Sequence, residues 1–285
     1  MEVVTLGRTG RRVSRLGFGG ATAGLRNYLH EFDPERAEDA DPIIAALRRA
    51  YELGVTYYDT AAGYGDGASE RIFGRGLEGI DPASIFLATK VSPRGKNVVR
   101  RSLEASLRYL RRDWIDLLQL HGSFSLEQMG YILDKGGLLD ELEQVRDEGL
   151  VKFIGFTYEG HDSSLFLLIE TGRFDVVQLQ YNLLFQHPYD HRRGTGAMFA
   201  LEERNMGIVT MRTTTSNILQ RWIQMVNPDN SFDYTPAIIQ FQLSNPLIDV
   251  ALIGMRSVAR VEANVALAND LAGRMDLDEV HRHYV

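Results

Sequence analysis

Residues 85–121 read IFLATKVSPRGKNVVRRSLEASLRYLRRDWIDLLQLH. FLATK and DLLQL are short and apolar, the pattern of strands covered on both faces, and the segment between them is helically patterned. Strand, helix and second buried strand together make a βα unit of a parallel sheet. Working outward, similar runs begin near Leu16, Thr56, Ile85, Asp116, Phe153, Val176, Ile208 and Val250. Neighbouring starts lie 23 to 42 residues apart, the length that a strand, a helix and two loops need. Eight such strands with helices outside predict an α/β chain folded as a closed (β/α)8 TIM barrel, with a doubly wound sheet as the alternative.

Helix ends are punctuated in the same register. Asp41-Pro42 reads as the N-cap and first residue of the first barrel helix, and Gly54, Gly149, Gly172 and Gly207 read as helix stops. Ahead of the first barrel strand, VVTLGRTGRRVSRLG (3–17) has two β-rich stretches joined by a Gly-Arg-Thr-Gly turn, which predicts a β-hairpin plugging the barrel floor. The 285 residues suit one barrel, and no linker or composition shift divides them, so residues 1–285 are expected to form one domain.

Composition removes whole classes of function. Lys and Arg number 31 against 38 Asp and Glu, a net charge of −7 without a basic block, which argues against nucleic acid as a partner. The absence of cysteine excludes disulfides and thiolate metal sites. No signal-peptide pattern opens the chain and no apolar run is long enough to span a membrane, so a cytoplasmic protein without membrane contact is expected. Oligomeric state is not legible.

The chemistry starts from a spacing. Asp59, Lys90 and His121 lie 31 residues apart each time, at the ends of TYYD, FLATK and LLQLH. Adjacent strands are about 4.8 Å apart, so the three side chains are expected side by side at the C-terminal mouth, where barrels carry their active sites. A buried carboxylate and ammonium are tolerated as a pair, and Asp59 with Lys90 supplies one. Tyr64 lies in the Gly-rich loop that follows Asp59. Beside an ammonium, a phenol becomes a competent proton donor, and His121 can orient a carbonyl against it. Carbonyl reduction fits this set.

With these stretches, LGRTGRRVSRLGFGG (6–20), GVTYYDTAAGYGDGASE (54–70), FLATKV, IDLLQLH, VKFIGF, VVQLQYNLL and ALIGMRSVARVEANVAL (251–267), the sequence resembles the aldo-keto reductase family over nearly its whole length. The resemblance implies a tetrad of Asp59, Tyr64, Lys90 and His121, with Tyr64 as general acid, Lys90 tuning it through Asp59, and His121 placing the carbonyl oxygen of a small-molecule substrate. It implies a nicotinamide nucleotide lying across the barrel mouth, and no metal is expected in the site. Gly19, Gly20, Asp59, Gln178 and Asn264 match the family's cofactor contacts. Arg256 and Arg260, four apart, are read as a clasp for a 2'-phosphate, with Gly254 and Ser257 supplying backbone N–H groups; this favours NADP as the cofactor, NADPH over NADH.

The sequence also departs from the family pattern. Thr157-Tyr158 stands for the usual Ser-Asn, Thr157 keeping a hydroxyl, and Met211-Arg212 occupies the position of the ring that stacks on nicotinamide; Thr157, Met211 and Arg212 are still expected to contact the cofactor. Thr213 to Ser216 replaces the pyrophosphate loop, and Ala263 an adenine-side acid. Tyr28, Phe124 and Trp222 are aromatic candidates for a substrate wall, although Ile218, Trp222 and Met225 at helical spacing also read as ordinary helix packing. Gly63-x-Gly65-x-x-Ala68 lacks the strand and helix of a dinucleotide fingerprint, and His281-x-His283 reads as solvated tail. The alternative function is a non-enzymatic nucleotide-binding subunit acting as a redox-sensing partner. A Schiff-base lyase using Lys90 leaves the glycines and arginines unexplained.

Overall fold

A computed structural model of the chain describes residues 1–26, 32–93, 97–190 and 193–283. Tyr28 falls outside the described residues. Two antiparallel strands come first, β1 (Val3–Thr5) and β2 (Arg12–Ser14). Eight parallel strands then close a barrel: β3 (Leu16–Gly19), β4 (Tyr57–Asp59), β5 (Phe86–Val91), β6 (Ile115–Leu120), β7 (Val151–Tyr158), β8 (Val176–Gln180), β9 (Gly207–Met211) and β10 (Val250–Gly254). They pair in chain order, and β10 returns to β3. The helices are α1 (Ala21–Gly24), α2 (Ala37–Glu52), α3 (Ala68–Gly76), α4 (Val98–Leu110), α5 (Leu126–Leu133), α6 (Leu138–Asp147), α7 (Ser163–Glu170), α8 (Ala197–Glu203), α9 (Ile218–Val226), α10 (Thr235–Ser244), α11 (Val258–Asn269) and α12 (Leu277–His283). The TIM barrel and its N-terminal hairpin are as expected.

Two apolar clusters account for the arrangement. Outward-facing strand residues such as Phe18, Leu118, Ile154 and Val177 pack under the helices, where Leu47, Leu103 and Leu142 meet them. Inside the barrel, Tyr57, Phe86, Leu117, Val176, Val209 and Val250 form a floor closed by Leu6 and Val13 of the hairpin. The plug is pinned by polar contacts: Arg11 pairs with buried Asp116 at 3.1 Å, and Gly7 (φ +40°) lies so close to β9 that a Cβ would stand 2.3 Å from the Gly207 nitrogen. The bottom of the barrel is thus sealed, leaving chemistry to the other end.

The structure corrects four local readings. Helix α2 begins at Ala37, so Pro42 lies inside it; Asp39 accepts from the Asp33 backbone and holds an earlier turn. Pro42 there forfeits one early helical hydrogen bond. Gly207 opens β9, because Asn205 (φ +52°) takes the left-handed position after α8. His281 belongs to helix α12 instead of a loose tail, and its Nε2 lies 3.0 Å from the Gln186 side-chain oxygen. Helix α9 buries none of its residues, leaving Trp222 56% and Met225 78% exposed, since it is an extra helix in the β9-to-α10 connection. Among the described residues no helix is long and apolar enough to cross a membrane.

Candidate active site

The strand period of two decides which side chains enter the barrel. Tyr57 faces the floor, so Asp59 two residues later faces the interior near the mouth; Phe86, Ala88 and Lys90 repeat the pattern on β5. Register places Asp59 beside Ala88 and Gly19, and Lys90 beside Gln119. Lys90 Nζ donates to Asp59 Oδ1 at 2.5 Å and to the Thr60 carbonyl at 2.7 Å. Both charged side chains are buried.

Tyr64 reaches this pair because its loop turns back sharply. Gly65 (φ +65°) and Gly67 (φ +84°) make the turn, and Gly24 lies against it so tightly that a Cβ would sit 2.2 Å from the Tyr64 carbonyl oxygen. The Tyr64 ring centroid is then 5.1 Å from Lys90 Nζ. His121 stands one residue beyond β6, its N–H bonded to the Val91 carbonyl, and its ring meets Tyr64 edge-on at 5.3 Å. All four expected tetrad residues converge at the C-terminal mouth.

Their electrostatics fall into roles. Burial draws the Lys90 ammonium down, but Asp59 and then Tyr64 more than reverse this, leaving its pKa raised. Burial also lifts the Asp59 carboxyl against the pull of Lys90, and it lifts the Tyr64 phenol in the same way. For the pair, the proton stays on the lysine. Burial, with Lys90 adding to it, lowers His121 to about 4, so its imidazole is neutral at physiological pH.

Around the tetrad, the expected nucleotide positions divide into several groups. Thr157 and Gln178 are adjacent and buried on β7 and β8. Thr157 Oγ1 accepts from the Gly122 N–H at 2.8 Å, while Gln178 Nε2 donates to Met211 Sδ at 3.5 Å. Gly19 pairs with Gly254, and a Cβ on Gly254 would strike Thr22 at 2.4 Å. Gly20 is a packing position: its N–H bonds to the Asp59 carbonyl, and a Cβ would collide there at 2.6 Å. Arg212 (φ +57°) is held in an ion pair with Glu159 and reaches Ser216.

The arginine clasp does not form as expected. Ser257 is the extended N-cap of α11, so Arg256 precedes the helix instead of sharing a face with Arg260. Arg256 Nε donates to the Thr22 carbonyl and Nη2 to that of Leu25, each at 2.7 Å, and its guanidinium lies 4.1 Å from the Phe32 ring centroid. Arg260 remains exposed at the start of α11, and Asn264 is buried one turn on. Phe124 is buried against Tyr158 instead of lining the mouth, and Tyr158 bonds to the Phe124 carbonyl and Asp162, clamping the loop after β7.

One residue escaped the sequence reading. Gln119 lies two positions before His121, fully buried on the interior face, and its Nε2 lies within 3.3 Å of Asp59 Oδ2 and 3.2 Å of Gln178 Oε1. The same period-two rule that places Lys90 would have found it.

The sequence model described as the aldo/keto reductase family matches residues 15–284. The chain belongs to this family. This aldo/keto reductase is 28% identical to L-galactose dehydrogenase of Arabidopsis thaliana, over 95% of the chain and 89% of that protein. Among solved structures, it superposes with a TM-score of 0.76 on the holo form of aldo-keto reductase AKR11C1 from Bacillus halodurans, at 22% identity, covering 98% and 94% of the two chains. A Klebsiella pneumoniae aldo/keto reductase in complex with NADP and acetate gives 0.72 at 21% identity, covering 98% and 93%. These structural likenesses bear on the fold.

Proposed function

We propose that this aldo/keto reductase interconverts a small aldehyde or ketone with its alcohol using NADPH, with Tyr64 delivering the proton. The observation that carries the reading is the meeting of Tyr64 and His121 over the buried Lys90–Asp59 pair. The reduced nicotinamide, when bound, supplies the hydride. The protein supplies the rest. Tyr64 stays protonated because burial raises its pKa, and Lys90, kept cationic by Asp59, stabilises the phenolate left after proton transfer. His121, neutral, offers a hydrogen bond to the carbonyl oxygen without competing as a strong acid.

The residues present fit the nucleotide unevenly. Its carboxamide end would be held by the Gln178 amide directed toward the mouth at Met211, and by the one lone pair that Thr157 Oγ1 keeps beyond its two bonds to the Gly122 backbone. Gly254 is exposed but packed against Thr22, where any side chain would strike, so its bare backbone rather than a cavity is what it offers, and the buried unpartnered Thr22 hydroxyl leaves a polar atom near the strand ends. At the phosphate end, Arg260, Ser257 and the first N–H groups of α11 would do the holding, while Asn264 lies toward the adenine. Arg256 supports the turn beneath by its bonds to Thr22 and Leu25.

This division gives an expected result. NADPH should bind about tenfold or more tightly than NADH, the value of one charge-assisted hydrogen bond of about 1.5–3 kcal/mol. Arg260→Ala should erase most of that preference in a fluorescence titration. Arg256→Ala should weaken both nucleotides together. Equal affinities in the wild type would overturn the phosphate assignment, and absence of binding would overturn the function.

A further inference from the structure

We propose that Gln119 is a positioning residue that transmits the charge of Asp59 to Gln178 and so fixes which end of the Gln178 amide faces the cofactor. The inference deepens the nucleotide-binding reading and rests on it. An ionised carboxylate only accepts hydrogen bonds, so the Gln119 NH2 must face Asp59; a reversed amide would set oxygen against oxygen. The second hydrogen of that NH2 goes to Gln178 Oε1. Both hydrogens are then used, and Gln119 Oε1 is left buried with no donor. That orphaned oxygen is the sign of an amide held in one orientation by its other end.

The consequence appears one strand further on. With its oxygen committed to Gln119, Gln178 turns its own NH2 toward Met211 Sδ, presenting a donor where the nicotinamide amide would lie. Gly155, paired between Gln119 and Val176, is held to glycine chiefly by the Val176 carbonyl, 2.4 Å from where a Cβ would stand; that Cβ would also crowd Gln119 Cγ at 3.3 Å. Asp59 thus acts in two directions: through Lys90 on the Tyr64 proton, and through Gln119, together with its own direct pull on the Gln178 NH2, on the polarity of the cofactor seat.

The test is NADPH affinity in a double-mutant cycle, read by fluorescence quenching without turnover. Gln119→Met keeps the length of the side chain and removes both donors. It should raise the NADPH dissociation constant about fivefold, the scale of one neutral hydrogen bond, although Gln119 is fully buried behind Gln178. Gln178→Met should weaken binding directly, and adding Gln119→Met to it should cost nothing further. Gln119→Asn, a milder change that keeps the amide but shortens it by one methylene, should shift affinity in the same direction. An unchanged dissociation constant in both Gln119 variants, or additive losses in the cycle, overturns the inference while leaving the function intact. A wild-type protein that fails to bind NADPH overturns the function itself.

Discussion

Tyr64→Phe is expected to lower carbonyl reduction by about 100-fold or more while leaving the fold and the NADPH dissociation constant near their wild-type values. The substitution removes one oxygen. The ring that packs edge-on against His121 and over Lys90 remains, so the loop held by Gly65 and Gly67 keeps its shape. Among the described residues no other group at the mouth is placed to do the same work: burial lowers the His121 pKa to about 4, leaving it neutral, and the Lys90 proton is held by Asp59 at 2.5 Å. Stopped-flow measurement of NADPH oxidation separates the chemical step from binding. Near-normal rates with Tyr64→Phe would assign the proton to another donor.

The second large effect is on stability. Lys90 and Asp59 are both buried and joined directly, so removing either leaves an uncompensated charge in the barrel interior. Asp59→Asn and Lys90→Met should each cost about 3–5 kcal/mol in a denaturant melt, against about 0–1 kcal/mol for a surface pair. The double variant should cost clearly less than the two singles added together, because neither charge then remains. Additive losses would mean that the two groups do not act as a pair.

Much of this was legible because local pattern and global fold agree. Each barrel strand begins within two residues of a run visible in the sequence, and the equal spacing of Asp59, Lys90 and His121 follows from successive βα units delivering equivalent strand ends to one face. Contacts formed across long sequence distances were not legible. Arg256 looks like a free phosphate ligand until folding brings it against carbonyls more than 200 residues earlier in the chain. Trp222 and Met225 have the spacing of a packed helix, yet α9 lies outside the barrel ring with nothing among the described residues to bury it. Gln119 was missed for the opposite reason: an amide inside an apolar strand gives no charge signal, although its position on the inward face was fixed by the same alternation as Lys90.

The proposed activity turns on a single step, the passage of hydrogen from nicotinamide to a carbonyl carbon at the mouth formed by Tyr64 and His121. Incubating the protein with NADPH deuterated at the transferring position of C4 and a panel of aldehydes and ketones, followed by mass spectrometry of the alcohols, measures that step directly. The expected product is an alcohol carrying one deuterium on the former carbonyl carbon, formed by the wild type and suppressed in Tyr64→Phe. Tight binding of NADPH with no labelled alcohol from any carbonyl would contradict the proposed activity and select the redox-sensing, non-enzymatic subunit in its place.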